Sequence, residues 1–139
     1  MALPEWMKAT VVSLAAAGAA VVCTPWPVKL VPDVPGSGDY DVPATWQYVA
    51  QPVALALIAF AAGRWNLSVL VTGLGVTVPA AAVYGVHSEY FTDAAGADPW
   101  PASTVVLVPL AFGAAVGLAA FGRLLRRRRA RARATRAVA

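Results

Sequence analysis

The amino-acid sequence predicts an all-α membrane protein, a four-transmembrane-helix bundle with both ends on the cytoplasmic side, and three observations carry that expectation. The chain is 59% hydrophobic and only 13% charged over its 139 residues, where a soluble domain carries roughly 25% charged residues. Its uncharged apolar residues fall into four blocks of about the length that a ~30 Å bilayer core demands. Its charge is also segregated. Eight of the eleven basic residues lie between Arg123 and Arg136, leaving three basic residues against seven acidic ones ahead of them. A soluble helical domain with unusually apolar helices is the competing class, but it would need charge spread over its whole surface.

The first block covers about residues 9–24, after Lys8, with Trp6 on one side and Pro25-Trp26-Pro27 on the other as interfacial anchors. A cleaved leader competes for this stretch, given one positive charge, a modest apolar run and the small residues Ala17-Gly18-Ala19. A retained helix is favoured because three more spans follow, whereas leaders usually precede a soluble domain. The second block runs over residues 46–63, the third over 67–86 and the fourth over 102–122, before Arg123. Together residues 1–125 make the membrane domain, and 126–139 an Arg-rich cytoplasmic tail.

The connections differ in kind. Residues 25–45 hold Pro25, Pro27, Pro32, Pro35 and Pro43 with Gly36 and Gly38, which forbids a continuous helix. Gly63-Arg64-Trp65-Asn66 is a minimal link and predicts an antiparallel hairpin of the second and third spans. Residues 87–101 form a second polar loop ending in Pro99-Trp100-Pro101, so each long loop carries a Pro-Trp-Pro tripeptide beside a span. With four spans, Lys8, Arg64 and the tail share one side. Asp33, Asp39, Asp41, Glu89, Asp93 and Asp98 share the other, with Lys29 as its single cation. The positive-inside rule then puts both termini in the cytoplasm and both long loops outside. The predicted location is a bacterial cytoplasmic (inner) membrane, since Arg outnumbers Lys and Ala is abundant.

Helices in lipid associate through close packing of small residues and polar contacts. Gly113 and Gly117 form a GxxxG pair in the fourth block, and the favoured reading is a packing face within the chain rather than between copies. Pro52, Pro79 and Pro109 interrupt the last three blocks and should bend them.

Ionisable groups near mid-bilayer are the usual functional markers of membrane proteins. None lies near the centre of any block, which argues against a carboxylate-based proton pump and an arginine voltage sensor. The polar residues worth weighing are Gln47 and Gln51, four apart and so on one helical face, together with Asn66, Ser68, Thr72 and Thr77. His87 and Glu89 belong to the densest reactive segment, but a lone His with scattered acids has no metal-ligand spacing. Cys23, the single cysteine, supports neither a disulfide nor a CxxC site. No catalytic residues, cofactor or metal are therefore expected, and Gln47, Gln51, His87 and Glu89 stand as a polar contact or ligand face. Arg126, Arg127, Arg128 and Arg129 are expected to meet anionic headgroups, at roughly 1 kcal/mol each. The tail lacks the aromatic readers a nucleic-acid site wants. The expected partners are membrane lipids and a membrane protein or further copies of the chain. The expected role is that of an accessory or structural subunit, with a small homo-oligomeric transporter or channel as the alternative.

Overall fold

Thr24 ends the first helix because Pro25 follows it, and the residue before a proline is pushed out of helical backbone; its ψ is 131°. A computed structural model describes residues 3–26, 28–29, 45–93 and 100–138. They form four helices: α1, Glu5–Cys23; α2, Thr45–Arg64; α3, Val69–Tyr90; and α4, Trp100–Val138. A two-residue parallel bridge joins β1, Val28–Lys29, to β2, Thr92–Asp93, and ties the segments that follow α1 and α3. The expected loops at 25–45 and 87–101 lie partly outside the described residues, as do Asp33, Asp39, Asp41 and Asp98.

Three helices are long and apolar enough to cross a membrane: α1, α3 and residues 104–135 of α4. The apolar part of α2, Val49–Arg64, is shorter, although the whole helix has 20 residues and so a length of about 30 Å. Helix α3 continues through Tyr90, past the end that hydropathy suggests. Helix α4 continues through the basic segment to Val138, without a break at the expected start of the tail. Pro52, Pro79 and Pro109 each sit inside an uninterrupted helix.

The turn after α2 has a defined chemistry. Asn66 has φ 64°, the left-handed conformation that Gly or Asn supplies just after a helix. Leu67 N–H donates to the Ala62 carbonyl and Asn66 N–H to the Gly63 carbonyl, the paired bonds of a Schellman motif. Leu67 and Ala62 are both buried, providing the apolar contact that accompanies this motif. Leu67 is one of the two largest fully buried side chains.

Around the bundle the helices follow the circuit α1, α3, α4, α2. The tight turn makes α2 and α3 antiparallel, yet they touch only sparsely and face each other across the bundle. The expected hairpin is thus a connection rather than the main packing pair. Its displacement has a physical reason in the backbone of α2. A Cβ on Gly63 would collide with the Ala119 backbone of α4, and one on Gly122 would come within 2.5 Å of the Phe60 carbonyl. These absences of side chain let α2 and α4 come into backbone contact, and α4 takes the place beside α2. Gly73 plays a similar part between α3 and α4, where a Cβ would meet Phe112 at 2.7 Å.

The core is made of small residues. Ala16, Ala20, Ala59, Ala62, Ala115 and Ala119 are buried with Val12 and Val76, while Leu14, Val22, Leu57, Leu70, Val105 and Leu110 lie on the outside. Water would tolerate no such continuous apolar exterior. Lipid would, because it rewards small-residue contacts between helices rather than burial of large side chains.

Gly63→Ala should therefore destabilise the fold by about 2 kcal/mol or more, as forced overpacking does. Gly18→Ala, where an added Cβ meets nothing within 4 Å, should be neutral or stabilise by up to about 1 kcal/mol through helix propensity. Unfolding of the two variants in the same detergent measures the difference.

Candidate functional site

Among the described residues, polar groups gather at three places: the turn between α2 and α3, the opposite end of α1 and α3, and a cleft between α2, α3 and α4.

At the turn, the last carbonyls of α2 have lost their helical donors, as at every helix C-terminus. Here each finds another. The Ala61, Ala62 and Gly63 carbonyls accept backbone N–H groups of Trp65, Leu67 and Asn66. The Arg64 carbonyl accepts from Arg126 Nη1 at 2.9 Å, that of Trp65 from Lys8 Nζ at 3.3 Å, and that of Asn66 from Arg123 Nη2 at 3.1 Å. Cations near a helix C-terminus also oppose its partial negative charge. Beside them, Ser68 N–H donates to Glu5 Oε1 at 3.2 Å, an acid placed at the N-terminus of α3, where the dipole favours it. The cluster draws on α1, α4 and the turn, so no local pattern reveals it. Its one sequence signal is Asn66, three residues after Gly63.

At the far end, His87 is 8% exposed and its Nε2 lies 2.6 Å from the Pro25 carbonyl. A carbonyl can only accept, so Nε2 carries the proton in this contact. Trp26 packs edge-on against both His87 and Phe91, with ring centroids 4.8 and 4.7 Å apart, and its Nε1 donates to the Val21 carbonyl of α1. Edge-to-face pairs of this kind add about 0.5–1.5 kcal/mol beyond area burial. His87 is a clasp between the ends of α1 and α3. Glu89, two residues on, is exposed and lies about 200° around α3 from His87. Among the described residues no group of three or more His, Cys, Asp or Glu side chains could hold a metal ion.

The cleft has a volume of about 500 Å³, within the range of small-molecule sites. Gln51 and Pro52 of α2, Thr77 and Tyr84 of α3, and Thr104 and Leu107 of α4 are among its lining residues. Gln47, although one helical turn from Gln51, is not part of that lining. Thr72 is fully buried and its Oγ1 donates to the Ser68 carbonyl at 2.9 Å. Gln47, Gln51, His87 and Glu89, grouped by sequence, are thus divided among different surroundings, and only Gln51 reaches the cleft.

Among the described residues, no helix packs on the expected face at Gly113 and Gly117. Both are exposed, and an added Cβ at either would meet nothing within 4 Å. Close approach happens instead at Gly63, Gly73 and Gly122. Of the tail arginines, Arg126 is held at the turn, while Arg127, Arg128 and Arg129 are exposed.

No protein-family model matches this chain, and no curated protein or solved structure shows significant similarity to it.

Arg126→Ala should lower stability by about 0.5–1 kcal/mol, a charged hydrogen bond discounted for its exposure. Arg128→Ala, which removes the same charge from an exposed position, should change it by less than about 0.5 kcal/mol. Thermal unfolding of both variants at matched ionic strength checks the contrast.

Proposed function

We propose that the chain is a small multi-pass protein of a bacterial cytoplasmic membrane, with four spans and both termini in the cytoplasm. In this reading it acts as a non-enzymatic accessory or structural subunit, packing against itself or a larger membrane partner. The carrying observation is the outer face of α4. Gly113 and Gly117 are exposed there with Val106 and Leu110, on the side of the helix opposite its contacts with α2 and α3. Small residues at this spacing let a second helix approach closely in lipid, and among the described residues no helix occupies the place. Charge segregation supports the orientation, with Lys8, Arg64, Arg123 and Arg126 gathered at one end of the bundle. Residues 126–129 lie about 6–10 Å beyond Gly122 along α4, within reach of anionic headgroups.

A transporter or channel is the second reading, favoured by the placement of Gln51 and Thr77 in one cleft. The apolar character of that cleft suits a lipophilic molecule better than a hydrated ion.

A photoreactive residue at Val106, exposed on the same face, should capture a membrane neighbour in cells, either a second copy or one abundant partner. The same group at Leu70, exposed on α3, should capture mainly lipid. Gly117→Leu should abolish the adduct and leave unfolding unchanged. A strictly monomeric protein with no captured neighbour would overturn the accessory reading. A cysteine placed at Ala132 should react with an impermeant maleimide only after the membrane is opened, as an inward tail requires.

A further inference from the structure

We propose that the turn between α2 and α3, with the adjoining ends of α1 and α4, binds one anionic phospholipid by its phosphate through Lys8, Arg123 and Arg126. The site rests on the membrane-spanning reading, and it needs neither a partner at the outer face of α4 nor the tail beyond Arg126. Lys8 Nζ, Arg123 Nη2 and Arg126 Nη1 donate to the carbonyls of Trp65, Asn66 and Arg64, and all three contacts are exposed at the surface. Those carbonyls belong to consecutive residues, whose Cα atoms are about 3.8 Å apart, so the three cationic heads share a patch on the order of 10 Å across. A carbonyl fixes a cation in place but cancels none of its charge. Ammonium and guanidinium groups also keep donors beyond the one each spends here. Among the described residues none of the three forms an ion pair. Glu5, the one described acid at this end, accepts the Ser68 N–H, and Arg64 adds a fourth cation, half-buried. Four cations against one carboxylate leave this end strongly positive and without its counter-charge.

The chemistry of that patch is complementary to a phosphate held at a bilayer surface. A guanidinium presents paired N–H donors that match two phosphate oxygens, and an ammonium adds a compact charge. Arg123 and Arg126 are three apart on α4 and so stand on one side of that helix. The backbone has already placed their heads, which lowers the ordering cost that a free surface side chain incurs on binding. Tryptophan favours the headgroup level of a bilayer, and Trp6 and Trp65, both at this end, are 70% and 47% exposed. Toward the bundle centre Leu70 of α3 and Phe121 of α4 are exposed as well. They offer an apolar wall to the acyl chains of a lipid whose phosphate sits at the turn. A soluble phosphate would use the cations and leave that wall bare. The occupant is a lipid.

The test titrates the full chain, freed of lipid in a neutral detergent, with dioleoylphosphatidylglycerol or dioleoylphosphatidylcholine and counts bound lipids by native mass spectrometry. One phosphatidylglycerol should bind ahead of all further copies, and phosphatidylcholine should not take its place. Arg123→Gln, which keeps an N–H donor for the Asn66 carbonyl, should weaken this first lipid about tenfold, the factor one charged hydrogen bond carries. Arg128→Gln with Arg129→Gln, on the tail, should change its affinity by less than about threefold. Glu5→Gln, whose amide oxygen still accepts from Ser68, should raise the affinity about threefold, a gain that no folding defect produces. Glycerol phosphate and inorganic phosphate at the same concentrations should not displace the lipid, and displacement by either would overturn the assignment to a lipid. Equal affinity in the parent, Arg123→Gln and Glu5→Gln proteins, or loss of the first lipid only in the tail variant, would overturn the site. The maleimide reaction at Ala132 reports the spans separately, so an inward tail without a selective lipid overturns this proposal alone.

Discussion

The bundle depends on the backbone contact of α2 with α4 at Gly63, Ala119 and Gly122. Helices α1 and α3 are parallel, their starts joined by Glu5 and Ser68 and their ends by Pro25 and His87. Helices α2 and α4 are parallel too, and meet most closely where α2 ends. Leu55 of α2 and Leu107 and Val108 of α4 line the cleft. The close approach thus explains the sparse contact of α2 with α3 in a bundle whose core is mostly alanine.

The same contact positions charge. Gly122 against Phe60 carries Arg123 and Arg126 over the turn, where carbonyls need donors. Backbone groups near an apolar phase must be satisfied by protein, and this turn satisfies all of its carbonyls from Ala61 to Asn66. Lys8, Arg123 and Arg126 therefore hold two roles in the proposed orientation, favouring one side of the membrane and capping α2. The two demands act on the same residues, so the charge bias cannot be altered there without loosening the turn.

The four helices were legible because each apolar block is long, uncharged and bounded by Pro, Trp or charge. The turn was partly legible, since Asn66 just after a helix is a recognisable left-handed cap. Packing was not. The GxxxG spacing of Gly113 and Gly117 shows that a helix could approach, while the contacts actually formed depend on Gly63 of one helix meeting Ala119 of another. Such pairing is a relation between distant segments, and a pattern along one helix does not contain it. The division of Gln47 from Gln51 has a similar cause. A shared face of α2 says nothing of which neighbouring residues stand opposite each turn, and that decides that Gln51 borders a cavity and Gln47 does not. His87 reads from sequence as a reactive loop residue because its partners, Pro25 and Trp26, lie more than sixty positions away.

Beyond Arg126, α4 leaves the support of the bundle. Arg127 with Arg131 and Arg129 with Arg133 are spaced four apart, and like charges at that spacing each oppose the helix by about 0.2–0.5 kcal/mol. Alanine and arginine both have high helix propensity, and continuity with the preceding apolar helix removes the penalty for nucleating a new one. These terms let the basic segment remain helical to Val138, but its exposed arginines repel one another around the whole circumference. An anionic surface relieves that repulsion at the nearest arginines and strengthens the helix as it binds. If the tail attaches to headgroups as proposed, its order and its binding are a single equilibrium, and higher salt acts on both: it screens the repulsion within the helix and weakens its hold on the surface.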